Sequence, residues 1–366
     1  MQELIVKHVD IFACPACGGA LVASDETLAC PRCNRVFPSD NGIPLLFHSH
    51  DPKDQLRDVT DIVKKFYEEN PFPNYDDLDS PESLSEKARR GVFAKLLDEQ
   101  LPQGACVLEA GCGTGQLTNF LGMHWNRRVF GSDLCLNSLR LARAFRDRCS
   151  IRNVAFLQMN LFRPCFRGEV FDALVCNGVL HHTSDPLGGF QSLARLVKLN
   201  GVIVVGLYNR FGRLTTDLRR FLFRLSGDRL AFLDAHMRNK TYNERRKLAW
   251  FMDQYKHPHE SKHSYTEVMR WFEDNGLDFL FSIPKTEPGP FRDDEQLFTP
   301  HDKGTGFSRF LVEVGMLLRG GVDGALFIMI GRKIERHGVP QPLVREDQAL
   351  RPAVEGSDPF RVMPPI

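Results

Sequence analysis

A loop in the first third of the chain carries one acidic residue and several glycines at a spacing that suits nucleotide binding. The sequence VLEAGCGTG contains Glu109, followed by three glycines at alternate positions. These are Gly111, Gly113 and Gly115. Glycine permits a tight turn and a close approach of the backbone to a ligand, and a following helix N-terminus offers N–H groups. An acid about 20 residues further on can bind ribose hydroxyls, and Asp133 holds that position.

The glycine loop by itself leaves other interpretations open. A dinucleotide-binding oxidoreductase has the spacing G-x-G-x-x-G, whereas this chain has G-x-G-x-G after an acid. The α/β run of the chain also ends with two late strands, Leu277–Ser282 and Ala325–Ile330, of which we expect the last to be antiparallel. A turn-forming glycine cluster without a ligand is the other interpretation, and the presence of both Glu109 and Asp133 disfavours it.

Four cysteines near the N-terminus form two C-x-x-C pairs. They are Cys14, Cys17, Cys30 and Cys33. Four thiolates at this spacing can close a tetrahedral Zn²⁺ site, which is structural because no position stays open for a substrate. A module of about 50 residues has little core, so the metal would supply much of its stability. Coincidental or redox cysteines are the alternative.

Histidines in two segments are candidates for proton transfer or ligation. His181 and His182 follow a predicted strand, where they could act as a general base or pack beside a cofactor. His257, His259 and His263 have a spacing that fits no standard zinc motif, and could contact substrate, bind a metal or lie in a solvated loop. The catalytic residue stays unassigned, with His181, His182 and His259 as weak candidates.

Strand and helix signals alternate along the elements that would position these residues. Strands are expected at 106–109, 128–132, 154–159, 171–176 and 202–207, and helices at 85–100, 115–122, 138–148 and 186–196. With the two late strands, this alternation predicts a doubly wound, mostly parallel seven-stranded α/β sheet. We divide the chain into a zinc-ribbon module (1–50), a connector or lid (51–83), a main domain (84–334) with a helical cap insertion (about 208–262), and a disordered tail (335–366).

The connector and the cap insertion each leave a choice open. The aromatic and proline cluster at 66–75 either covers the cofactor or packs against the zinc module. Residues 210–247 hold eleven basic side chains against four acidic ones, in a chain whose net charge of +1 gives no global field. A stripe at helical spacing consists of Leu214, Leu218, Phe221 and Leu225. A lid helix, a peripheral membrane contact and a nucleic-acid contact are all compatible with this pattern.

Residues 84–207 together with 264–332 resemble class I S-adenosylmethionine methyltransferases, including those of ubiquinone and menaquinone biosynthesis. The resemblance rests on Glu109–Gly115, Asp133, Phe171–His182 and Lys198–Gly201. It implies that the glycine loop holds the methionine part of S-adenosyl-L-methionine, that Asp133 binds the ribose, and that residues after the third strand flank the adenine. The implied cofactor-binding set is Glu109, Gly111, Gly113, Gly115, Asp133, Asn160, Leu161 and Asn177.

One residue departs from the family pattern, which often has aspartate after the third strand. This chain has Asn160 there, followed by Leu161. An amide oxygen can still accept a hydrogen bond from the adenine amino group. We therefore keep Asn160 in the predicted set.

The cysteine module, with Val36–Pro38 and Gly42–Leu46, resembles the zinc-ribbon activator subunits of tRNA, ribosomal RNA and release-factor methyltransferases. Those subunits stabilise a separate methyltransferase chain by covering an apolar surface. The resemblance implies a scaffold or an activator in cis, and favours this over a direct substrate-binding role.

We therefore predict a methyltransferase acting on oxygen, nitrogen or carbon of a small or lipid-like acceptor. An RNA or protein methyltransferase is the alternative, which the zinc ribbon and the basic insertion favour. Cys176–Val179 lacks the Asn-Pro-Pro-Tyr type of signature found in many such enzymes. A non-catalytic scaffold is a third hypothesis, which the intact loop disfavours. Without a signal peptide or a membrane-spanning run, we expect a reducing cytoplasmic location.

Overall fold

A computed structural model of the protein describes residues 1–50, 58–73, 80–240, 242–287, 289–318 and 325–335. The predicted tail at 335–366 lies outside the described residues except for its first position. Within the described ranges the chain forms a four-stranded and a seven-stranded sheet. No described helix has the length and apolar character needed to cross a membrane.

The N-terminal module is an antiparallel meander preceded by one short helix. Its elements are α1 (Glu3–Lys7), β1 (Val22–Ala23), β2 (Thr27–Ala29), β3 (Val36–Asp40) and β4 (Ile43–Pro44). Two of the paired cysteines, Cys14 and Cys30, are buried, whereas Val22 and Val36 are exposed. Most of its buried apolar side chains, such as Leu28, belong to the same cluster as side chains of the seven-stranded sheet.

The larger sheet confirms the predicted fold class. Its strands are β5 (Cys106–Ala110), β6 (Arg128–Asp133), β7 (Val154–Gln158), β8 (Phe171–Asn177), β9 (Val197–Tyr208), β10 (Leu277–Ile283) and β11 (Leu326–Lys333). Their spatial order is β10-β11-β9-β8-β5-β6-β7. As expected, β11 pairs antiparallel with both of its neighbours, and the other pairs are parallel.

Both faces of this sheet are covered. Along β5, Leu108 packs in one apolar cluster and Val107 in another, because successive side chains point to opposite faces. Every residue of β5 and β7 is buried. Such continuous apolar runs are typical of parallel strands between two helical layers.

The described helices agree with the predicted alternation, with two corrections. They are α2 (Thr60–Glu69), α3 (Pro81–Arg90), α4 (Val92–Gln100), α5 (Gln116–Leu121), α6 (Leu136–Arg148), α7 (Pro186–Ala194), α8 (Leu214–Ser226), α9 (Ala235–Arg238), α10 (Glu244–Phe251), α11 (Tyr265–Asp274) and α12 (Gly306–Leu318). The single helix predicted at 85–100 is two helices, because the backbone of Gly91 is extended (φ −86°, ψ 106°). The predicted connector contains the helix α2, whose apolar Val63 is buried.

The N-terminal module is joined to the edge of the large sheet by backbone hydrogen bonds. Leu46 N–H donates to the Gln158 carbonyl at 3.0 Å, which extends the sheet beyond β7. The Ala13 N–H donates to Cys165 at 2.9 Å. Phe12, fully buried, contacts the rings of Phe130 and Phe166. The module therefore shares one core with the sheet.

The helical cap insertion leaves the sheet at the end of β9 and returns beside it. Asn209 and His263 form a parallel bridge that brings the two ends of the insertion together. Inside the cap, Phe223 packs against Phe251 and Tyr255 in a separate small core. A five-residue π-helical turn, Met252–Lys256, follows α10.

Candidate active site

The glycine loop lies between the end of β5 and the start of α5. Gly111 and Gly113 have positive φ angles of 75° and 52°. A Cβ on Gly111 would lie 2.3 Å from Val179, and one on Gly113 would lie 2.3 Å from the carbonyl oxygen of Phe72. Both conformation and space therefore require glycine at these two positions.

Gly115 has a different role from the other two glycines. A Cβ there would lie 2.7 Å from both Ala142 and Phe156, which belong to α6 and β7. Gly115 does not line the cavity described below, although it was predicted in the cofactor-binding set. It allows α5 to pack closely on its neighbours, and so orients the loop indirectly.

The two predicted acids flank the loop, and Glu109 is buried whereas Asp133 is half-buried. Asp133 accepts hydrogen bonds from Gly113 N–H and Cys135 N–H, each at 2.8 Å. Glu109 accepts one from the Thr118 hydroxyl. Desolvation raises the pKa of Asp133 and raises that of Glu109 to about 7, because burial disfavours the charged form. Carboxylate oxygens accept more than one bond, so both acids keep capacity for a ligand.

The remaining predicted cofactor residues follow β7 and β8. The Asn160 side-chain oxygen accepts from Phe162 N–H at 3.0 Å, and its amide nitrogen donates to the His48 carbonyl at 2.9 Å. Asn177 is different, because its buried side-chain oxygen has no hydrogen-bond partner among the described residues. Asn160, Leu161 and Asn177 all line the same cavity as the glycine loop.

That cavity has a volume of about 420 Å³, which suits a small molecule. Its sheet-side wall comes from the strand ends and loops, and includes Glu109, Gly111, Gly113 and Asp133. Its other wall comes from α2, the segment after it and the cap. That wall includes Tyr67, Phe72, Trp250, Asp253 and Gln254. The cavity therefore extends from the predicted cofactor loop to the base of the cap.

The aromatic cluster of the connector contributes to this wall. Phe72 and Pro73 line the cavity, and the Pro73 carbonyl accepts a hydrogen bond from the Thr114 hydroxyl. Phe66 contacts Tyr67 and His257. These contacts place the described part of the cluster over the loop rather than against the zinc module. Tyr75, at the end of the predicted cluster, lies outside the described residues.

The candidate base His182 lines the cavity, but both of its ring nitrogens are engaged. Its Nδ1 lies 3.0 Å from the His259 carbonyl oxygen and must donate. Its Nε2 then accepts from His181 Nε2 at 3.1 Å, which leaves the buried His181 Nδ1 without a partner among the described residues. Burial lowers the pKa of His182 to about 4. His182 is therefore a neutral wall residue in this arrangement.

The other candidate histidines do not line the cavity. His181 stacks on Tyr208, and His259 Nε2 lies 3.0 Å from the Thr183 carbonyl. His263 contacts Ser261 and Glu267. Among the described residues, only the four N-terminal cysteines form a group able to hold a metal. The histidines of these two segments thus form a hydrogen-bonded and stacked cluster.

Polar residues that the sequence analysis did not identify meet at the base of the cap. The Tyr67 hydroxyl donates to Asp253 at 3.0 Å, and Gln254 Nε2 donates to Asp253 at 2.8 Å. Burial raises the pKa of Asp253. Arg213, fully buried, donates to Gln254 and to Glu260. Sequence spacing carries no signal for this network, because its members come from three separate segments.

The four cysteines come together as predicted. Their sulfur atoms lie within 4.8 Å of one another. The Cys14–Cys33 and Cys17–Cys30 sulfur distances are 3.7 and 3.5 Å. A tetrahedron with Zn–S bonds of about 2.3 Å has S–S edges of about 3.8 Å. The cluster therefore fits a Zn²⁺ ion held by four thiolates, with no position left for a substrate.

Family comparisons agree with these two sites. Residues 108–205 match the model of a methyltransferase domain, and residues 6–42 match that of a Trm112p-like protein. The chain therefore joins a class I methyltransferase fold to a Trm112p-like zinc ribbon.

Curated relatives cover only parts of the chain. An uncharacterized protein of Synechococcus sp. is 27% identical over 259 residues, which cover 61% of this chain and 60% of that protein. A ubiquinone biosynthesis O-methyltransferase of Alkalilimnicola ehrlichii is 30% identical over 126 residues, or 34% of this chain and 48% of that one. The chain thus spans about half to three fifths of the length of these relatives.

Solved structures of similar proteins share little sequence with this chain. One is the complex between the Haloferax volcanii Trm112 methyltransferase activator and a methyltransferase, with 15% identity, a TM-score of 0.40, and coverage of 69% of this chain and 98% of that one. Another is magnesium protoporphyrin IX methyltransferase of Synechocystis with bound SAH, with 16% identity, a TM-score of 0.43, and coverage of 75% and 99%.

Proposed function

We propose that the protein is an S-adenosylmethionine-dependent methyltransferase that acts on a small or lipid-like acceptor. The observation that carries the proposal is a single cavity that reaches from the glycine loop to the polar base of the cap. Such a cavity can hold a cofactor at one end and an acceptor at the other. The match of residues 108–205 to the methyltransferase-domain model supports this assignment.

The residues at the sheet end suit the chemistry of S-adenosylmethionine. Gly111 and Gly113 let the backbone approach the methionine part, near the Glu109 carboxylate. Asp133 would accept from the ribose hydroxyls. The unpartnered oxygen of Asn177 offers a further buried acceptor. The Asn160 oxygen, which already accepts from Phe162, has a second lone pair for the adenine amino group. When bound, the cofactor supplies an electrophilic methyl group.

At the cap end, the lining residues would orient the acceptor and exclude water. The wall combines the rings of Tyr67, Tyr208 and Trp250 with the polar groups of Asp253 and Gln254. Methyl transfer is an in-line displacement, and correct alignment lowers its barrier more than acid–base chemistry does. The wall therefore requires no dedicated base, which agrees with the engaged nitrogens of His182.

The zinc ribbon would act as a scaffold in cis. Residues 1–50 contribute nothing to the described cavity wall, and instead cover the edge of β7 and pack Phe12 into the core. This arrangement favours an activating role over substrate binding. An RNA or protein acceptor, which the basic cap would attract, is the alternative that an acceptor screen decides.

Isothermal titration with S-adenosylmethionine tests the proposal. Asp133→Ala should weaken binding about 10- to 100-fold, because a hydrogen bond to a charged group contributes about 1.5–3 kcal/mol. Asp293→Ala is the matched control, since that side chain is 73% exposed and lies outside the cavity wall. Wild-type protein that shows no binding at millimolar cofactor would refute the proposed function. Equal affinity of both variants would refute only the role of Asp133.

A further inference from the structure

Helix α8 presents an apolar stripe to solvent. The stripe consists of Leu214, Leu218, Phe221 and Leu225, which are 49%, 60%, 57% and 70% exposed. Their spacing of four, three and four residues places them on one face of the helix. Four large apolar side chains in one exposed row are unusual on a surface that has no partner.

Among the described residues, none packs over this stripe. The opposite face of α8 carries Thr216 and Phe223, both almost fully buried. Phe223 packs against Phe251 and Tyr255, and Arg220 donates to the Gln254 carbonyl at 2.7 Å. Helix α8 therefore attaches to the cap through one face, and no described residue covers the other.

A second exposed apolar row lies on α12. Phe307, Phe310 and Leu311 are 69%, 44% and 45% exposed. Phe310 contacts the ring of Phe211 at 5.5 Å, and Phe211 lies three residues before Leu214. Phe310 of α12 therefore packs beside the segment that leads into α8.

The charge of the cap complements an anionic surface. Eleven basic residues stand against four acidic ones between 210 and 247. Asp234 and Arg213 are both buried and paired, so ten of the eleven basic residues and three of the four acidic ones remain. Exposed cationic residues include Arg210, Arg224, Arg229, Arg238 and Arg245. A cationic cap with an apolar row can insert the row between lipid chains while its arginines contact phosphate groups.

We propose that the stripe of α8, together with the exposed row of α12, docks the protein on an anionic lipid bilayer. A second copy of the chain fits less well, because a twofold interface would bring two cationic caps together. Nucleic acid fits less well, because aliphatic leucines neither pair with phosphates nor stack on bases. This inference does not depend on methyltransferase activity.

Docking through α8 would also bring the cavity close to the bilayer. Trp250, Asp253 and Gln254 line the cavity and belong to the same cap as α8. Tyr255, the next residue, contacts Phe223 of α8 with ring centroids 4.7 Å apart. A lipid-like acceptor would then have a short path from the membrane to the cavity.

Vesicle flotation with the full chain tests the inference without cofactor or acceptor. Wild type should float with phosphatidylcholine vesicles that contain phosphatidylglycerol, and about tenfold less with phosphatidylcholine alone. Leu218→Ser with Leu225→Ser should reduce binding at least about tenfold, because two inserted side chains are lost. Leu141→Ser with Leu199→Ser is the matched control, since both leucines are 45% exposed and lie outside the cap. Arg224→Gln with Arg229→Gln should remove the preference for phosphatidylglycerol.

Several results would overturn this inference. Wild type that does not float, or stripe and control variants that float equally, would exclude docking through α8. A wild-type dimer that Leu218→Ser dissociates, without vesicle binding, would assign the stripe to a second copy. Salt-sensitive RNA retention without vesicle binding would assign the cap to nucleic acid. Cofactor titration of the same variants reports on the proposed function separately, because the stripe residues do not line the cavity.

Discussion

The zinc ribbon and the helical cap insertion are both attached to the methyltransferase fold, but by different means. The ribbon joins through backbone hydrogen bonds at β7 and through apolar side chains such as Phe12. The cap joins through polar contacts, including the buried Asn209–Glu313 hydrogen bond and the Tyr67–Asp253 hydrogen bond, and leaves an apolar row exposed. A shared apolar core makes two regions fold together, whereas a polar attachment allows one region to open alone.

This difference separates structural from functional roles. The ribbon completes the sheet edge and contributes no residue to the described cavity wall, so its loss should affect the whole fold. The cap lines one end of the cavity and carries the proposed bilayer contact, so its loss should affect the proposed function first. This distinction predicts three effects of decreasing size, from removal of zinc, from loss of a ribbon–sheet contact and from loss of a charge in the cap.

Removal of the metal from the ribbon should have the largest effect. Cys14→Ser with Cys17→Ser should abolish zinc binding and lower the free energy of unfolding by more than about 5 kcal/mol, because structural zinc contributes about 10 kcal/mol or more. Elemental analysis measures the zinc content, and urea unfolding measures the free energy of unfolding. The control is Cys149→Ser, a cysteine outside the cluster. A variant without zinc that kept its unfolding midpoint would show that the ribbon folds independently of metal.

Phe12→Ala should have the second-largest effect on the free energy of unfolding, because it removes a fully buried aromatic contact between the ribbon and the sheet. A buried Phe→Ala change costs about 3–5 kcal/mol. The loss should appear in a single cooperative urea transition that includes the large sheet. Val36→Ala is the control, because Val36 is 60% exposed on the same module. Two separate transitions for Phe12→Ala would contradict the shared core.

Loss of the Glu260 charge should lower stability by a smaller amount. This effect should be confined to the cap and depend on pH. Burial alone would raise its pKa, but Arg213 and Arg220 outweigh burial and lower it to about 2 from 4.5. The ionised Glu260 carboxylate therefore contributes about 3 kcal/mol to the free energy of unfolding. This contribution is fully present above pH 4.5 and is lost as the pH falls through about 2.

Hydrogen exchange at pH 7 measures this effect by comparison with Glu260→Gln. The variant should lose protection in 214–256 while β5 and β6 keep theirs. Glu244→Gln is the control, because that carboxylate is 89% exposed beside Lys247 and contributes little. Equal loss of protection in the cap and the sheet would show that the cap is as strongly coupled to the fold as the ribbon is.

Local patterns were sufficient to predict the sheet and the two motifs. The apolar runs of β5 and β7, the glycine spacing after Glu109 and the paired cysteines each depend on neighbouring residues. Helix α2 was not predicted, and tertiary contacts help to position it. Glu68 accepts from Leu136 N–H and Asn137 N–H at the start of α6.

The acceptor end of the cavity was not predictable, because its members are far apart in sequence. Tyr67 and Asp253 are separated by 186 positions. The periodicity of α8 predicted an amphipathic helix, but periodicity does not tell which face packs against the protein. The two apolar faces of α8, one with Phe223 and one with Leu218, became distinct only through burial. The packing partners of Gly115, Ala142 and Phe156, could not be predicted either, because they come much later in the chain.

The π-helical turn at Met252–Lys256 has a mechanical consequence. A wider turn changes the phase of the side chains, so that consecutive residues serve different neighbours. Asp253 and Gln254 line the cavity, and Tyr255 packs on Phe223 of α8. A displacement of α8 at Tyr255 would therefore act on the Asp253 carboxylate, two residues earlier, which accepts the hydrogen bond from Tyr67. Pressure on the outer face of the cap would reach the cavity through this turn.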